Sequence, residues 1–208
     1  MTLTLRYMRP GDIGAVYAME QVTFSPPWSQ GSFRFEIEQS PVSHMLVLED
    51  SVERPMIGGW QRFLSALRGQ NDAAIHREIV GYADMWKIEA ESHISTIATH
   101  SAHRGKGYGE ILLAGMMRRA LALKAQYTVL EVRVSNTVAQ NLYRKYHFEI
   151  VDTKRGYYQN NHEDAYDMRV RLDNPAIVAE LNRLYGMIQA KVPFEDHFST
   201  TPHPRLGT

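Results

Sequence analysis

The chain has 208 residues, 44% of them apolar, with 23 Lys plus Arg against 23 Asp plus Glu; that suits one domain with an appendage. A formal net charge of zero argues against a dedicated binder of nucleic acid or anionic membrane, which is usually basic overall. The absence of cysteine excludes disulfides, thiolate zinc sites and any cysteinyl-enzyme intermediate.

Met1 to Pro10 lacks the apolar core of a signal peptide, and no run approaches the ~18 apolar residues of a membrane span. The expectation is a soluble cytoplasmic protein, a monomer or weak homodimer. Leu3 to Met8 reads as a strand closed by Pro10-Gly11. Asp12 is a candidate N-cap, followed by Ile13, Val16, Tyr17 and Glu20 at helical spacing. Phe24-Ser25-Pro26-Pro27-Trp28 breaks the pattern, and Ser29 can cap a short helix through Ile37. Ser43 to Leu48, Ile79 to Ile88 and Ser92 to Thr99 read as strands, the last two joined through Glu89-Ala90-Glu91. The connection 51–77 far exceeds an ordinary sheet loop and is expected to be an insertion. Inside it Trp60, Phe63, Leu64 and Leu67 follow helical spacing.

Gly105 to Ala125 reads as a glycine-rich turn running into a helix with Ile111, Leu112, Met116 and Leu123 on its apolar face. Thr128 to Val134 is a strand, Thr137 to Tyr146 a helix, and Phe148 to Thr153 and Ala165 to Leu172 further strands. This mixed order predicts a single α/β domain over 1–173 with a partly antiparallel central sheet flanked by helices. Asn174-Pro175 ends that unit. Ile177, Leu181, Leu184 and Ile188 mark an appended C-terminal helix, and Pro193 onward reads as a flexible tail.

The strongest local signal is Arg104-Gly105-Lys106-Gly107-Tyr108-Gly109, after a strand and opening a helix. Glycines let several backbone N–H groups converge, and the helix N-terminus adds about half a positive charge. Together they form a candidate pyrophosphate cradle with Arg104 and Lys106 as charge partners; the plain alternative is a tight turn with solvated basic residues. The Walker A spacing is absent, and a Rossmann fingerprint would sit early in a parallel unit rather than after an antiparallel meander. His100 and His103 form H-x-x-H with His93 nearby. They lie on a strand exit rather than at i and i+4 of a helix, so no metal site is expected.

Arg104, Gly107 and Gly109 match [QR]-x-x-G-x-[GA] of the GNAT acetyltransferases, and the chain resembles that superfamily from there on. Leu130-Glu131-Val132-Arg133-Val134-Ser135-Asn136, then Ala139, Leu142-Tyr143 and Phe148, then Arg155-Gly156-Tyr157-Tyr158 and Glu163-Asp164-Ala165 are similar in order to the RimI-type protein-alanine N-acetyltransferases. Upstream, Phe24 to Ser29 resembles that family's F-x-x-P-W-S loop, and Ile97-Ala98-Thr99 its I-A-V strand. His147 replaces the usual glycine before Phe148, and Thr99 the usual valine.

The resemblance implies a GNAT fold and acetyl-CoA as co-substrate, with no metal. The backbone of Ile97, Ala98 and Thr99 would hold the pantetheine arm, the loop Arg104, Gly105, Lys106, Gly107, Tyr108 and Gly109 the pyrophosphate, and Asn136 and Tyr143 would also face the coenzyme. Glu131 is implied as general base through water and Tyr143 as general acid. Phe24, Pro26, Pro27 and Trp28 would wall the pocket for the first acceptor residue, and Tyr157 and Tyr158 would contact the acceptor peptide. Read without the family, Glu131 is a strand glutamate paired with Arg133, Tyr143 a core tyrosine, Asn136 a helix N-cap and Tyr157-Tyr158 a hairpin aromatic pair. The implied acceptor is a protein N-terminus, the alanine of a small-subunit ribosomal protein, with no nucleic acid or membrane partner. A GNAT enzyme for small-molecule amines or lysine side chains, and a non-catalytic acyl-CoA-binding module, are the alternatives.

Overall fold

The computed structural model describes residues 2–55 and 73–205. They form one mixed eight-stranded sheet in the order β6-β7-β5-β4-β3-β2-β1-β8, with five α-helices. β1 (Thr2–Tyr7) leads through Pro10-Gly11 into α1 (Ile13–Thr23). Asp12 precedes this helix without capping it: its carboxylate accepts from the Arg9 N–H at 2.7 Å and from the Arg6 guanidinium at 2.7 Å. α2 (Gln30–Glu38) starts as expected, the Ser32 N–H donating to Ser29 Oγ at 3.0 Å.

β2 (Leu46–Pro55) and β3 (Ala73–Ile88) pair antiparallel from Leu46↔Ala83 to Pro55↔Ala73. The ladder therefore runs into both ends of the expected connection 51–77, narrowing it to 56–72. Trp60, Phe63, Leu64 and Leu67 lie outside the described residues. β4 (Glu91–Thr99), α3 (Tyr108–Ala122), β5 (Tyr127–Arg133), α4 (Thr137–Lys145), β6 (Glu149–Tyr158) and β7 (Glu163–Arg171) follow. Both sheet faces are covered. Ile111, Leu112 and Met116 of α3 pack on one with Leu5, Leu48 and Met85. Val16, Met19 and Phe33 pack on the other with Val47 and Tyr82.

The C-terminal segment is part of the domain rather than a flexible tail. α5 (Pro175–Lys191) buries Leu181, Leu184, Tyr185 and Ile188 and lies against α3. β8 (Phe194–His197) adds to the sheet parallel to β1, from Leu3↔Phe194 to Arg6↔His197. Asp196 then accepts from the backbone N–H groups of Phe198 and Ser199 at 2.9 and 2.8 Å, and Phe198 is fully buried. Polar composition and Pro193 signal a loop. What orders the segment is the open edge of β1, which a sequence pattern does not display. His147 closes the turn after α4 at φ +63, a left-handed conformation that costs a non-glycine residue about 1–2 kcal/mol.

Candidate active site

The site is built where the sheet stops pairing. β4 and β5 run parallel only from Glu91↔Tyr127 to Ile94↔Leu130. Beyond that point β4 continues on β3 as far as Thr99, and β5 continues on β7 as far as Arg133. The two strands diverge, so the β5-facing backbone groups of Ser95 to Thr99 are left to bond a ligand. The divergence begins at a bulge: opposite Asp84/Met85 the partners step from Thr96 to Ile94. The extra residue, Ser95, donates Oγ–H to Asp84 Oδ2 at 2.8 Å, and Ser43 Oγ–H donates to Asp84 Oδ1 at 2.7 Å. Asp84 is fully buried, and burial pushes its carboxyl up to about 6 against the two hydroxyl hydrogen bonds.

A cavity of about 780 Å³ fills this cleft. The expected coenzyme residues Ile97, Ala98, Thr99, Arg104, Gly105, Gly107, Tyr108, Gly109 and Asn136 line it. Lys106 does not; its ammonium donates to His103 Nδ1 at 3.2 Å. Gly105 and Gly107 have φ of +78° and +87°, open to glycine and strained for other residues. Gly107 starts α3 with no side-chain cap, so the first N–H groups of the helix stay available to an anion. A Cβ at Gly107 would meet Ile188 Cδ1 at 3.4 Å and Val192 Cγ2 at 3.5 Å, so the end of α5 backs this loop. Asn136 lines the cavity and also caps α4, accepting from the Ala139 N–H at 3.1 Å.

Glu131 and Tyr143 line the same cavity. Glu131 does not pair with Arg133, whose guanidinium bonds Glu163 at 2.9 Å and lies over the Tyr158 ring at 3.7 Å. Instead Glu131 Oε2 faces His93 Nε2 at 2.8 Å, and Oε1 accepts from the Lys154 ammonium. Burial pushes the Glu131 carboxyl up, but the hydrogen bonds and charges of His93 and Lys154 outweigh it and hold it at about 2. The bond to Glu131 raises His93. Tyr143 is both a core and a cavity residue, 5% exposed. Burial, then Tyr158, push its hydroxyl far above the usual tyrosine range, so it stays protonated.

Tyr157 and Tyr158 reach the cavity because β6 bulges: Lys154↔Ala165 is followed by Tyr158↔Glu163, four residues against two. Gly156 makes the bend at φ +58, and its N–H donates to Asp164 Oδ1 at 2.8 Å. Glu163 holds Arg133 and the Ser135 N–H, each at 2.9 Å. The Glu163-Asp164 pair thus fixes the loop that carries the tyrosines. Phe24, Pro26 and Trp28 also line the cavity, whereas Pro27 is exposed and outside its wall. Trp28 stacks on Trp86 at 6.3 Å, and its N–H donates to Glu20 Oε1 at 2.9 Å. Lys154 and Asp84, and the partners of His93 and Glu20, are not legible in the sequence, because each meets its partner across strands or elements apart in the chain.

Oxygen and nitrogen atoms of Glu78, His100 and His103 lie within 4.8 Å of one another. Yet His100 Nδ1 accepts the Ala102 N–H at 3.3 Å, and His103 Nδ1 accepts from Lys106. His103 Nε2 also lies 3.6 Å from Glu78 Oε1, so the trio is a partly buried cluster of two imidazoles and a carboxylate. A second hollow of about 950 Å³, lined by α1 and the β2-β3 ladder, contains none of the expected site residues. Among the described residues no helix is long and apolar enough to cross a membrane.

A family model described as Acetyltransferase (GNAT) family matches residues 14–148. A Bacillus subtilis (strain 168) protein, provisionally named a [ribosomal protein bS18]-alanine N-acetyltransferase, is 30% identical over 169 residues, covering 81% of this chain and 95% of its own. The chain belongs to the GNAT acetyltransferase family. It is an acetyl-CoA-dependent N-acetyltransferase similar to the RimI type. Among solved structures, the ribosomal-protein-S18-alanine N-acetyltransferase of Escherichia coli superposes with a TM-score of 0.60 at 22% identity, covering 83% of this chain and 96% of that one. Mutant forms of the spermidine/spermine N-acetyltransferase of Vibrio cholerae reach 0.59 at 16% identity, covering 88% and 98%. At such identities the likeness is one of fold, and fold alone does not choose the acceptor.

Proposed function

We propose that this GNAT enzyme acetylates the N-terminal α-amino group of a protein, with the N-terminal alanine of a small-subunit ribosomal protein as acceptor. The observation that carries the reading is that Glu131, Tyr143 and the Tyr157-Tyr158 pair share one cavity with the glycine loop. The similarity to the Bacillus subtilis relative over 81% of this chain and 95% of that one supports the ribosomal acceptor and a cytoplasmic setting.

Bound acetyl-CoA supplies the thioester; the chain supplies grip and protons. The open edge of Ile97 to Thr99 takes the pantetheine arm. The N–H groups around Gly107 and Gly109, with Arg104, take the pyrophosphate. An α-amine, with a pKa of about 7.7–8.0, must lose a proton before it attacks. Glu131 takes that proton through a water molecule. As the carbon–sulfur bond breaks, Tyr143 donates its hydroxyl proton to the leaving thiolate. Phe24, Pro26 and Trp28 bound the space for the first acceptor side chain, and Tyr157 and Tyr158 flank the peptide that follows.

Coenzyme A release tests the reading with three acceptors: an alanine-started peptide, a lysine peptide with a blocked N-terminus, and spermidine. The alanine peptide should lead by at least ~tenfold in kcat/KM, about 1.4 kcal/mol of transition-state binding. Equal or faster turnover of spermidine or lysine would move the enzyme to small-molecule or side-chain acetylation.

A further inference from the structure

Glu131 of β5 and Asp167 of β7 are direct partners in the antiparallel ladder. Two carboxylates facing each other across strands repel, and this pair is also largely buried, with 12% and 19% of the side chains exposed. Such an arrangement needs a cation. Lys154 provides it: its ammonium bonds Glu131 Oε1 and lies 3.3 Å from Asp167 Oδ2. Asp167 Oδ1 is buried without a hydrogen-bond partner, so the pair has unused capacity for N–H donors. Lys154 sits on the edge strand β6 with 36% of its side chain exposed, so solvent reaches the side chain that holds the pair. An acceptor arriving as an N-terminal ammonium has the same charge and the same donors.

We propose that Lys154 is an internal stand-in for the acceptor: it occupies the cation site formed by Glu131 and Asp167 in the free enzyme, and the N-terminal ammonium of the acceptor displaces it. The inference rests on the α-amine reading above for the identity of the displacing group, and on the ladder geometry for the site. The latch has a chemical use. A glutamate poised to activate an amine beside a thioester also activates water, whose attack would break the carbon–sulfur bond and release acetate and coenzyme A. With Lys154 seated, both oxygens of Glu131 are taken, Oε2 by His93 and Oε1 by Lys154, and its basicity is suppressed. The acceptor that displaces Lys154 brings to Glu131 an ammonium of pKa about 8, which gives up its proton far more readily than a lysine near 10.4.

Lys154→Met keeps the length of the side chain and removes the charge. Coenzyme A release from acetyl-CoA in the absence of acceptor should rise at least ~tenfold over wild type, and KM for an alanine-started peptide should fall several-fold. The dissociation constant for acetyl-CoA should stay unchanged, and Lys154→Arg should keep both rates near wild type. If acceptor-free release and peptide KM both stay at the wild-type level while wild type acetylates the peptide, the latch is wrong and the acceptor reading stands. If acceptor-free release rises but neither protein turns over the peptide, the latch stands and the acceptor reading falls. Loss of all activity in Lys154→Met with acetyl-CoA still bound would make Lys154 part of the chemistry and overturn the proposal. Should the variant not fold, the wild-type protein decides. A pulse of amine-reactive reagent in large excess, read by mass spectrometry, should modify Lys154 several-fold faster with coenzyme A and peptide bound than without. Unchanged or slower modification overturns the latch.

Discussion

Replacing Glu131 by Gln keeps the shape of the side chain and removes its proton affinity, and two separate effects follow. The first is on stability. A carboxyl held at about 2 instead of 4.5 in the folded protein contributes about 3 kcal/mol at most, from 1.36 kcal/mol per pKa unit. A depressed acid contributes that stability above its unfolded value and loses it as pH falls toward about 2. Urea unfolding at pH 7 should therefore show the variant less stable by up to about 3 kcal/mol, the gap narrowing below pH 4. The second effect is on rate. Proton transfer from an α-ammonium near pKa ~8 to a carboxylate held at about 2 is strongly uphill, so the proposed base, as paired in the free enzyme, is a poor one and must shed a partner to work. Once it does, its loss should lower kcat ~10²–10⁴-fold near pH 7. The deficit should shrink above about pH 8, where the α-amine arrives neutral. Coenzyme A release from pH 6.5 to 9.5, at a temperature where calorimetry shows acetyl-CoA still bound, measures it. A deficit that stays constant across that range would mean that Glu131 positions groups and does not move a proton.

Tyr143→Phe should lose activity without relief at high pH, because the thiolate still leaves without a donor; acetyl-CoA affinity by calorimetry should stay within about twofold. Gly107→Val forces a β-branched residue into φ +87 with its Cβ against Ile188 and Val192. A strain of at least about 1–2 kcal/mol should weaken acetyl-CoA binding tenfold or more while far-ultraviolet circular dichroism is unchanged. Asp84→Asn should stabilise the protein by up to about 3 kcal/mol at pH 7–8. A carboxyl raised to about 6 from 3.8 disfavours folding above pH 6, and the penalty disappears as pH falls toward 3.8, so the melting-temperature gap should close by about pH 4.

The sequence made legible what is local. Arg104 to Gly109 announces its turn through glycine spacing, Ser29 and Asn136 their caps through residue type, and Leu130 to Tyr143 the site strand and helix through an ordered series of motifs. Residues whose roles depend on pairing between distant strands were not legible. The stand-alone reading joined Glu131 to Arg133, two residues on and on the same face. The ladder instead gives Arg133 to Glu163 and Glu131 to His93 and Lys154, because β4 lies beside β5 on one side and β6, with β7 between, on the other. The expected connection 51–77 was overlong for the same reason: nothing within Ser51 to Pro55 alone marks it as paired with Ala73 to Arg77. The segment after Pro193 reads as polar and loose, yet Phe194 and Phe198 find a groove at the β1 edge. His147 shows the converse case. Its identity departs from the glycine of the family, while its backbone keeps the positive φ that a glycine adopts without strain.

Three irregularities of the backbone border the cavity proposed to carry the chemistry. The β4 bulge at Ser95 opens the cleft, the β6 bulge at Gly156 sends two tyrosines into it, and the left-handed turn at Gly107 lines it. Asp84 is pushed up by burial at the β4 bulge, and Glu131 is held down by His93 and Lys154. Asp84 therefore opposes folding at neutral pH and is kept by two serine hydroxyls that also fix the bulge. Glu131 favours folding only in a pairing that makes it a weak base. A sequence optimised for stability would hold Glu131 paired and make Asp84 neutral. Keeping Asp84 ionisable at the bulge, and securing Glu131 with His93 and with a lysine on an edge strand, suits the proposed mechanism, in which the cleft stays open and the base comes free.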